Sequence, residues 1–207
     1  MSPKLRWLLA VFGAALLVDQ GLKLWTVRAL RYRGPALDDA ARDGLAALGH
    51  SAQSPAEQVL IPGLLSLVHA QNPAAAMGMM LGYEHRMVVF GVFTVVAIAV
   101  LGLMFRALEP EDRFGAGVLG LILSGAVGNA IDRAHKGTVT DMVKMFWDFE
   151  PGKTWLLQTF GTNQWFTYNV ADAALLVGVA LYGIHGLFQR DGEPTEETGP
   201  NPLESAP

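Results

Sequence analysis

Nine polar or charged side chains lie next to apolar segments of this sequence, where their types could do acid–base chemistry. They are Asp19, Lys23, Asn72, Asn129, Asp132, Arg133, Asp141, Asn169 and Asp172. Two carboxylates in a poorly hydrated site do not both ionise cheaply, so they share one proton and titrate as a pair. One carboxylate can then take a proton from water while the other donates a proton to a carbonyl oxygen. That is the chemistry of an aspartic peptidase.

The composition argues against other hydrolytic sites. The chain has no cysteine, which excludes disulfides, thiolate metal sites and cysteine nucleophiles. The five histidines occur singly and no His-Glu-x-x-His motif is present, so we expect no metal and no organic cofactor. Ser124 has only the doubtful His185 as a basic partner. The net charge is −4, and no Lys/Arg cluster alternates with aromatic residues, so nucleic acid is not an expected partner.

The polar residues also have purely structural interpretations. Asp19 and Lys23 lie one helical turn apart and could form an ion pair without a catalytic role. Asp172 could be a carboxylate favoured by the helix dipole, with Asn169 as the N-cap. Asp141 could be an ordinary loop acid. A functional reading is favoured only if the fold brings these residues together.

Four apolar blocks provide the elements that would do so. They are Trp7–Trp25, Met87–Phe105, Phe114–Ile131 and Val170–Phe188. Each approaches the roughly 20 residues that a helix needs to cross about 30 Å of hydrocarbon. The sequence therefore predicts a membrane protein, mainly α, with four transmembrane helices at about 7–26, 86–107, 114–134 and 168–188.

The first block has an alternative reading as a cleaved signal peptide, because Lys4 and Arg6 precede an apolar core. The charged pair Asp19 and Lys23 interrupts this block, and apolar residues resume after it at Leu24 and Trp25. We therefore predict that the first block is an uncleaved membrane anchor and that residues 1–190 form a single membrane domain.

Two long segments, 28–85 and 136–166, should lie on one side of the membrane with both termini on the other. The partial alternation of Val59–Met80 predicts short strands against the membrane, giving a small sheet and loop cap. The tail 191–207, rich in Pro, Gly and Glu, is expected to be disordered.

Successive helices are expected to cross the membrane in alternating directions, which brings the nine polar residues together at the loop-side end of the helices. The Lys/Arg distribution leaves the orientation undecided.

Four motifs resemble those of the lipoprotein signal peptidases, the type II signal peptidases of bacteria. They are "DQGLK" (Asp19–Lys23), "NPAAAMG" (Asn72–Gly78), "GAVGNAIDRAHKGTVTDM" (Gly125–Met142) and "YNVADAA" (Tyr168–Ala174). They occur in the family's order and span all four predicted helices. Both outer loops look longer than is usual in that family, at Arg33–Ser54 and Asp148–Gln164.

The resemblance implies that Asp141 and Asp172 are the catalytic pair. The remaining seven residues, Asp132 among them, would line or brace the site. It also implies a cytoplasmic N-terminus and tail, with the loops, the sheet and the active site at the extracytoplasmic face of the bacterial inner membrane. The substrates would be lipidated prolipoproteins, cleaved before the lipidated cysteine, with membrane lipid as the other partner and a monomer as the working form.

Two functions of other classes stay open from the residues alone. A small proton-coupled transporter component could use Asp19 and Asp172 as proton carriers. Such a protein is expected to carry an inverted repeat and polar residues through the whole membrane depth, whereas here they cluster at one end. A purely structural, partner-binding membrane protein would have no need of paired aspartates.

Overall fold

The body of the protein is a bundle of four long helices with a small sheet at one end. A computed structural model of the chain describes residues 1–30, Tyr32, 57–73 and 85–190. In chain order the elements are α1 (Pro3–Ala29), β1 (Glu57–Ile61), β2 (Leu65–Asn72), α2 (Arg86–Ala107), α3 (Arg113–Lys136), β3 (Val139–Met145), α4 (Gly152–Phe160) and α5 (Val170–Arg190). Helices α1, α2, α3 and α5 are long and apolar enough to cross a membrane. The predicted mainly helical membrane fold with four spanning helices and a small sheet is confirmed.

The ends of the spanning helices are set by local sequence. Ser2 accepts a hydrogen bond from the Leu5 amide at the start of α1, and the Asp112 carboxylate accepts one of 2.7 Å from the Gly115 amide at the start of α3. Helix α3 stops at Gly137, whose φ of 68° is left-handed and suits a residue without a Cβ. Strand β3 begins almost at once, so the last turn of α3 and β3 are held close together.

Helix α3 is the centre of the bundle and packs against α1, α2 and α5. In its apolar stretch 61% of the residues are buried, against 11% for α2, whose surface is left for lipid. A Cβ on Gly120 would collide with the backbone carbonyl of Leu8, and one on Gly125 with that of Ala171. Small residues thus let α1 and α5 approach α3 closely, as is common between membrane helices.

The three strands form one antiparallel sheet in the order β1-β2-β3. In the β2–β3 pair, Ala70 lies opposite Asp141 and Asn72 lies opposite Val139. Strands β1 and β2 come from the segment in which alternation predicted strands, whereas β3 comes from the segment expected to be a polar connection. The sheet therefore brings one candidate carboxylate, Asp141, beside the candidate amide Asn72.

Three features of the sequence lie outside the described residues. They are the outer insertion Arg33–Ser54, the greater part of the Asn72–Gly78 motif, and the tail 191–207. The strands expected beyond Pro73 and the disorder expected of the tail therefore stay predictions.

Candidate active site

Asp141 is a deeply buried carboxylate held by two neutral amides. Asp141 is only 2% exposed. Oδ1 accepts a hydrogen bond of 2.8 Å from Nδ2 of Asn169, and Oδ2 accepts one of 3.2 Å from Nδ2 of Asn72. Burial, and then the negative charge of Asp172, raise the pKa of Asp141 to about 7, although the two amide bonds oppose the shift. Asp141 can therefore hold a proton near neutral pH.

Asp172 lies in the first turn of α5, where it forms a reciprocal cap with Asn169. The Asp172 amide donates to Oδ1 of Asn169 at 3.0 Å, and the Asn169 amide donates to Oδ2 of Asp172 at 3.2 Å. The structural interpretation of Asp172 as a helix-start carboxylate is thus correct as far as it goes. Because Asn169 also donates to Asp141, this one buried asparagine links the two carboxylates.

Asn129 holds the other side of Asp172. Its Nδ2 donates to Oδ1 of Asp172 at 2.8 Å, and its Oδ1 accepts a hydrogen bond of 3.1 Å from Nζ of Lys23. Together the two bonds orient the Asn129 side chain, with its NH₂ group towards Asp172 and its oxygen towards Lys23. Asn129 therefore connects the carboxylate pair to a second, charged group of residues.

That second group, here called the ion cluster, consists of Asp19, Lys23, Asp132 and Lys136. Lys23 Nζ lies 2.9 Å from Asp19 and 3.5 Å from Asp132, and Lys136 Nζ lies 2.9 Å from Asp132. The side chains of Asp19 and Lys23 are 2% and 3% exposed. Two ammonium groups thus balance two carboxylates in a buried site, where an uncompensated charge would be costly.

The ion cluster also accepts hydrogen bonds from the backbone next to both candidate catalytic residues. Asp132 accepts a hydrogen bond of 2.8 Å from the amide of Thr140, the residue before Asp141. Asp19 accepts one of 2.9 Å from the amide of Ala171, the residue before Asp172. The cluster therefore holds β3 and α5 at the residues that directly precede Asp141 and Asp172.

Arg133 stands at the edge of this arrangement. Its guanidinium lies over the ring of Phe90 on α2, 4.2 Å from the ring centre. It is also close enough to attract the carboxylates of Asp172, Asp141 and Asp132. Arg133 is partly exposed, so its charge can meet a group that enters from outside.

The structure joins eight of the nine residues that the sequence singled out by hydrogen bonds and ion pairs at the loop-side end of the bundle, and it places the charge of Arg133 near the three carboxylates Asp132, Asp141 and Asp172. It also adds buried polar residues that sequence reasoning missed. On β2, His69 donates from Nδ1 to the carbonyl of Leu30 at 3.2 Å and accepts at Nε2 from the amide of Gln71 at 2.7 Å. Gln71 donates in turn to Oγ1 of Thr140 at 3.1 Å. His69 and Gln71 are two residues apart, so on a strand both side chains lie on the same face. This spacing was the sequence signal that could have identified them.

The described parts of the chain contain neither a serine–histidine pair nor a metal site. Ser124 donates to the backbone carbonyl of Leu121 at 2.7 Å. His185 instead pairs with Asp112 at 2.8 Å, at the opposite end of α3. Within residues 1–30, 57–73 and 85–190 no group of three His, Asp or Glu side chains is placed to hold a metal ion.

Comparison with known proteins points to one family. The family model described as "Signal peptidase (SPase) II" matches residues 11–188. A protein of Geobacter metallireducens named lipoprotein signal peptidase is 37% identical over 125 residues, covering 60% of this chain and 69% of that protein. Proteins of the same name from Geobacter sulfurreducens and Geobacillus kaustophilus are 35% and 33% identical, covering 60% and 62% of this chain and 70% and 73% of those proteins.

Two solved structures, each titled as a bacterial membrane enzyme, share the fold. One aligns with a TM-score of 0.65 at 20% identity, covering 92% of each chain. The other aligns with a TM-score of 0.62 at 20% identity, covering 87% of this chain and 92% of that one. The arrangement of helices and sheet is therefore that of a known membrane enzyme.

Proposed function

Since the chain belongs to the signal peptidase II family, we propose that it removes the signal peptide from diacylglyceryl-modified prolipoproteins as an aspartic endopeptidase, cleaving before the lipidated cysteine. Family membership makes the protein a peptidase of the bacterial membrane, and its four apolar helices make it a multi-pass protein of the inner membrane. The aspartic mechanism and the roles of individual residues are the proposal.

The observation that carries the proposal is the link between Asp141 and Asp172 through Asn169. The Asn169 side-chain amide donates to Asp141 and the Asn169 backbone amide donates to Asp172. The two carboxylates differ in burial, because Asp141 is enclosed and Asp172 is partly exposed. One proton shared by such a pair favours the more buried carboxyl group, Asp141. Asp172 then carries the negative charge and acts as the general base.

In the first step a water molecule between the carboxylates attacks the scissile carbonyl carbon. Asp172 takes a proton from the water as the new C–O bond forms, and Asp141 gives its proton to the carbonyl oxygen. The product is a neutral tetrahedral diol, and no net charge has been created in the poorly hydrated site.

In the second step the C–N bond breaks. Asp172 returns its proton to the leaving nitrogen, while Asp141 takes a proton from one hydroxyl group of the diol as the carbonyl re-forms. The pair ends with one proton on Asp141, as it began. Neither step requires a metal ion or an organic cofactor.

The neighbouring side chains have supporting roles in this proposal. Asn169 and Asn129 orient the two carboxylates, Asn72 stabilises the ionised form of Asp141, and the ion cluster sets the backbone spacing. Arg133 meets a substrate carbonyl or the lipid headgroup.

The position of the site suits this substrate class. Asp172 lies in the first turn of spanning helix α5, and Asp141 lies on β3, which begins three residues after spanning helix α3 ends. The acyl chains of a lipidated precursor would stay in the bilayer between helices while its cleavage site reaches the carboxylates at the extracytoplasmic face. The monomer is the proposed working form. The transporter hypothesis is not favoured, since the family match points to a peptidase.

The test is cleavage of a diacylglyceryl-modified precursor by purified Asp141→Asn and Asp172→Asn variants in lipid nanodiscs. Loss of either acid–base group should lower the cleavage rate by about 10²- to 10⁴-fold. The matched control is Asp148→Asn, which changes an exposed carboxylate next to β3 that pairs with Lys153. The control should cleave normally, and all three variants should keep their helical circular dichroism. Retained cleavage by both Asp141→Asn and Asp172→Asn would contradict the aspartic mechanism.

A further inference from the structure

Between β3 and α5 the chain presents six aromatic side chains that stay largely exposed among the residues that the structure describes. We call them the outer aromatic surface: Trp147, Phe149, Trp155, Phe160, Trp165 and Phe166. Their exposed fractions lie between 45% and 71%. Five of the six belong to the segment Asp148–Gln164 or its flanking residues, which looked longer than the family norm. Neither the carboxylate pair nor the ion cluster uses any of them.

Helix α4 is the least supported element of this segment. It has nine residues, none of which is buried. An isolated helix of that length is marginal in water, so a covering environment is needed to stabilise it. Its sequence, "GKTWLLQTF", offers Trp155, Leu156 and Phe160 to such an environment. Trp155 and Phe160 contact each other edge to face, with ring centres 5.6 Å apart.

The outer aromatic surface is held next to the end of the membrane-spanning bundle. The Trp165 amide donates to the carbonyl of Met145 at 2.8 Å, and the Trp147 amide donates to that of Asn163 at 2.9 Å. These bonds tie the segment to β3. Only Thr167, Tyr168 and Asn169 separate Phe166 from the first turn of α5. The segment is therefore tied to β3 and joins α5 three residues after Phe166, next to the end of a spanning helix.

The chemistry of the segment fits a lipid interface. Aromatic side chains concentrate where hydrocarbon meets headgroups, since one ring edge can stay wet while the body is buried. The charged residues are few, and Lys153 and Asp148 pair with each other, so electrostatic attraction is not the driving term. A groove of about 430 Å³ between Trp147 and the pair Trp155 and Leu156 has room for part of an acyl chain.

We propose that α4 and the outer aromatic surface lie in the headgroup region of the outer leaflet and bind phospholipid there, with or without substrate present. Trp155 and Phe160 enter the boundary between headgroups and acyl chains, and the groove beside Trp147 takes part of one chain. This contact holds β3, and with it Asp141, against the membrane surface. The proposal concerns lipid binding and does not depend on the peptidase mechanism.

The test uses tryptophan fluorescence of the full chain in phosphatidylcholine nanodiscs. Trp7, Trp25, Trp147 and Trp165 are replaced by phenylalanine, so that Trp155 is the one emitter. The readouts are quenching by phosphatidylcholine brominated close to the headgroup or close to the chain end, and quenching by aqueous iodide. A variant that keeps only Trp25, in spanning helix α1, is the lipid reference. Glu109→Trp in a tryptophan-free background, in the exposed turn between α2 and α3, is the water reference.

We expect Trp155 to lose emission intensity in brominated lipid, more with bromine near the headgroup, and to emit at shorter wavelength than the Glu109→Trp reference. Iodide should quench it far less than that reference. Strong iodide quenching without lipid quenching would overturn the proposal. So would protection from both quenchers, which indicates a protein cover such as a second copy, and so would lipid quenching that arises only after a lipidated precursor is added. None of these outcomes involves peptidase activity, so they leave the proposed function to its own test.

Discussion

Two groups of carboxylates meet at the same end of this bundle, and they differ in what surrounds them. In the ion cluster, Asp19 and Asp132 face the ammonium groups of Lys23 and Lys136. In the second group, Asp141 and Asp172 receive hydrogen bonds from the neutral amides of Asn72, Asn129 and Asn169. An ammonium partner strongly favours the ionised carboxylate, whereas neutral amides favour it less, so burial still raises the pKa of Asp141. The first arrangement suits support and the second suits catalysis.

The largest effect on this contrast between the two groups is expected at Lys23, the cation shared by Asp19 and Asp132. Lys23→Met leaves buried carboxylates without their partner and should lower the free energy of unfolding by about 3–5 kcal/mol. Chemical denaturation in detergent measures this. Lys153→Met is the matched control, because its partner Asp148 lies in an exposed loop and such exposed pairs contribute little to stability. Unchanged stability in Lys23→Met would show that the ion cluster is not a brace.

Asn129 joins the two groups, so changing it should affect both. Asn129→Ala removes a donor to the Asp172 carboxylate, a charged hydrogen bond of about 1.5–3 kcal/mol, which corresponds to about a 10- to 100-fold lower cleavage rate. It also removes an acceptor from Lys23, so a smaller loss of stability should accompany the loss of rate. The two effects are read from cleavage kinetics and denaturation of the same preparation. A stability loss with unaltered kinetics would separate Asn129 from the catalytic pair.

The smallest effect concerns the pH dependence. Cleavage requires a proton on Asp141, so the rate should fall as pH rises through about 7, the raised pKa of that group. Asn72 stabilises the ionised form, and its removal raises the pKa further. In Asn72→Ala the alkaline limb of the pH–rate profile should therefore move upward by about one pH unit, the equivalent of one hydrogen bond. A downward shift, or none, would show that Asn72 does not hold the ionised carboxylate.

Much of this comparison could be predicted from the sequence. The four apolar blocks fix the number of spanning helices, and alternating helix directions bring Asn129, Asp132 and Asp172 to one end. The hydrogen bonds between Asn169 and Asp172 follow from their spacing of three residues at a helix start, which is a capping pattern. These features are local, so a single stretch of chain contains the information.

The surroundings of Asp141 could not be predicted in the same way. It lies on β3, in a segment expected to be a polar connection, and β3 exists because it pairs with β2, far earlier in the chain. The contacts from Asn72 and the buried chain of His69 and Gln71 depend on that pairing. Helix α4 was missed for another reason: with nine residues it is too short for a helical repeat to be told from a short apolar strand.

The most direct measurement is the infrared spectrum of the protein in the carbonyl region of protonated carboxyl groups, recorded against pH. A buried carboxyl group that shares its proton with Asp172 should give a band that disappears as pH rises through about 7 and is absent from Asp141→Asn. The band should persist in Asp148→Asn. If the protein shows no protonated carboxyl group between about pH 5.5, where ordinary carboxyl groups are ionised, and about pH 7, the two aspartates do not share a proton. The same follows if the band remains in Asp141→Asn, and the contrast between the ion cluster and the Asp141–Asp172 pair is then wrong.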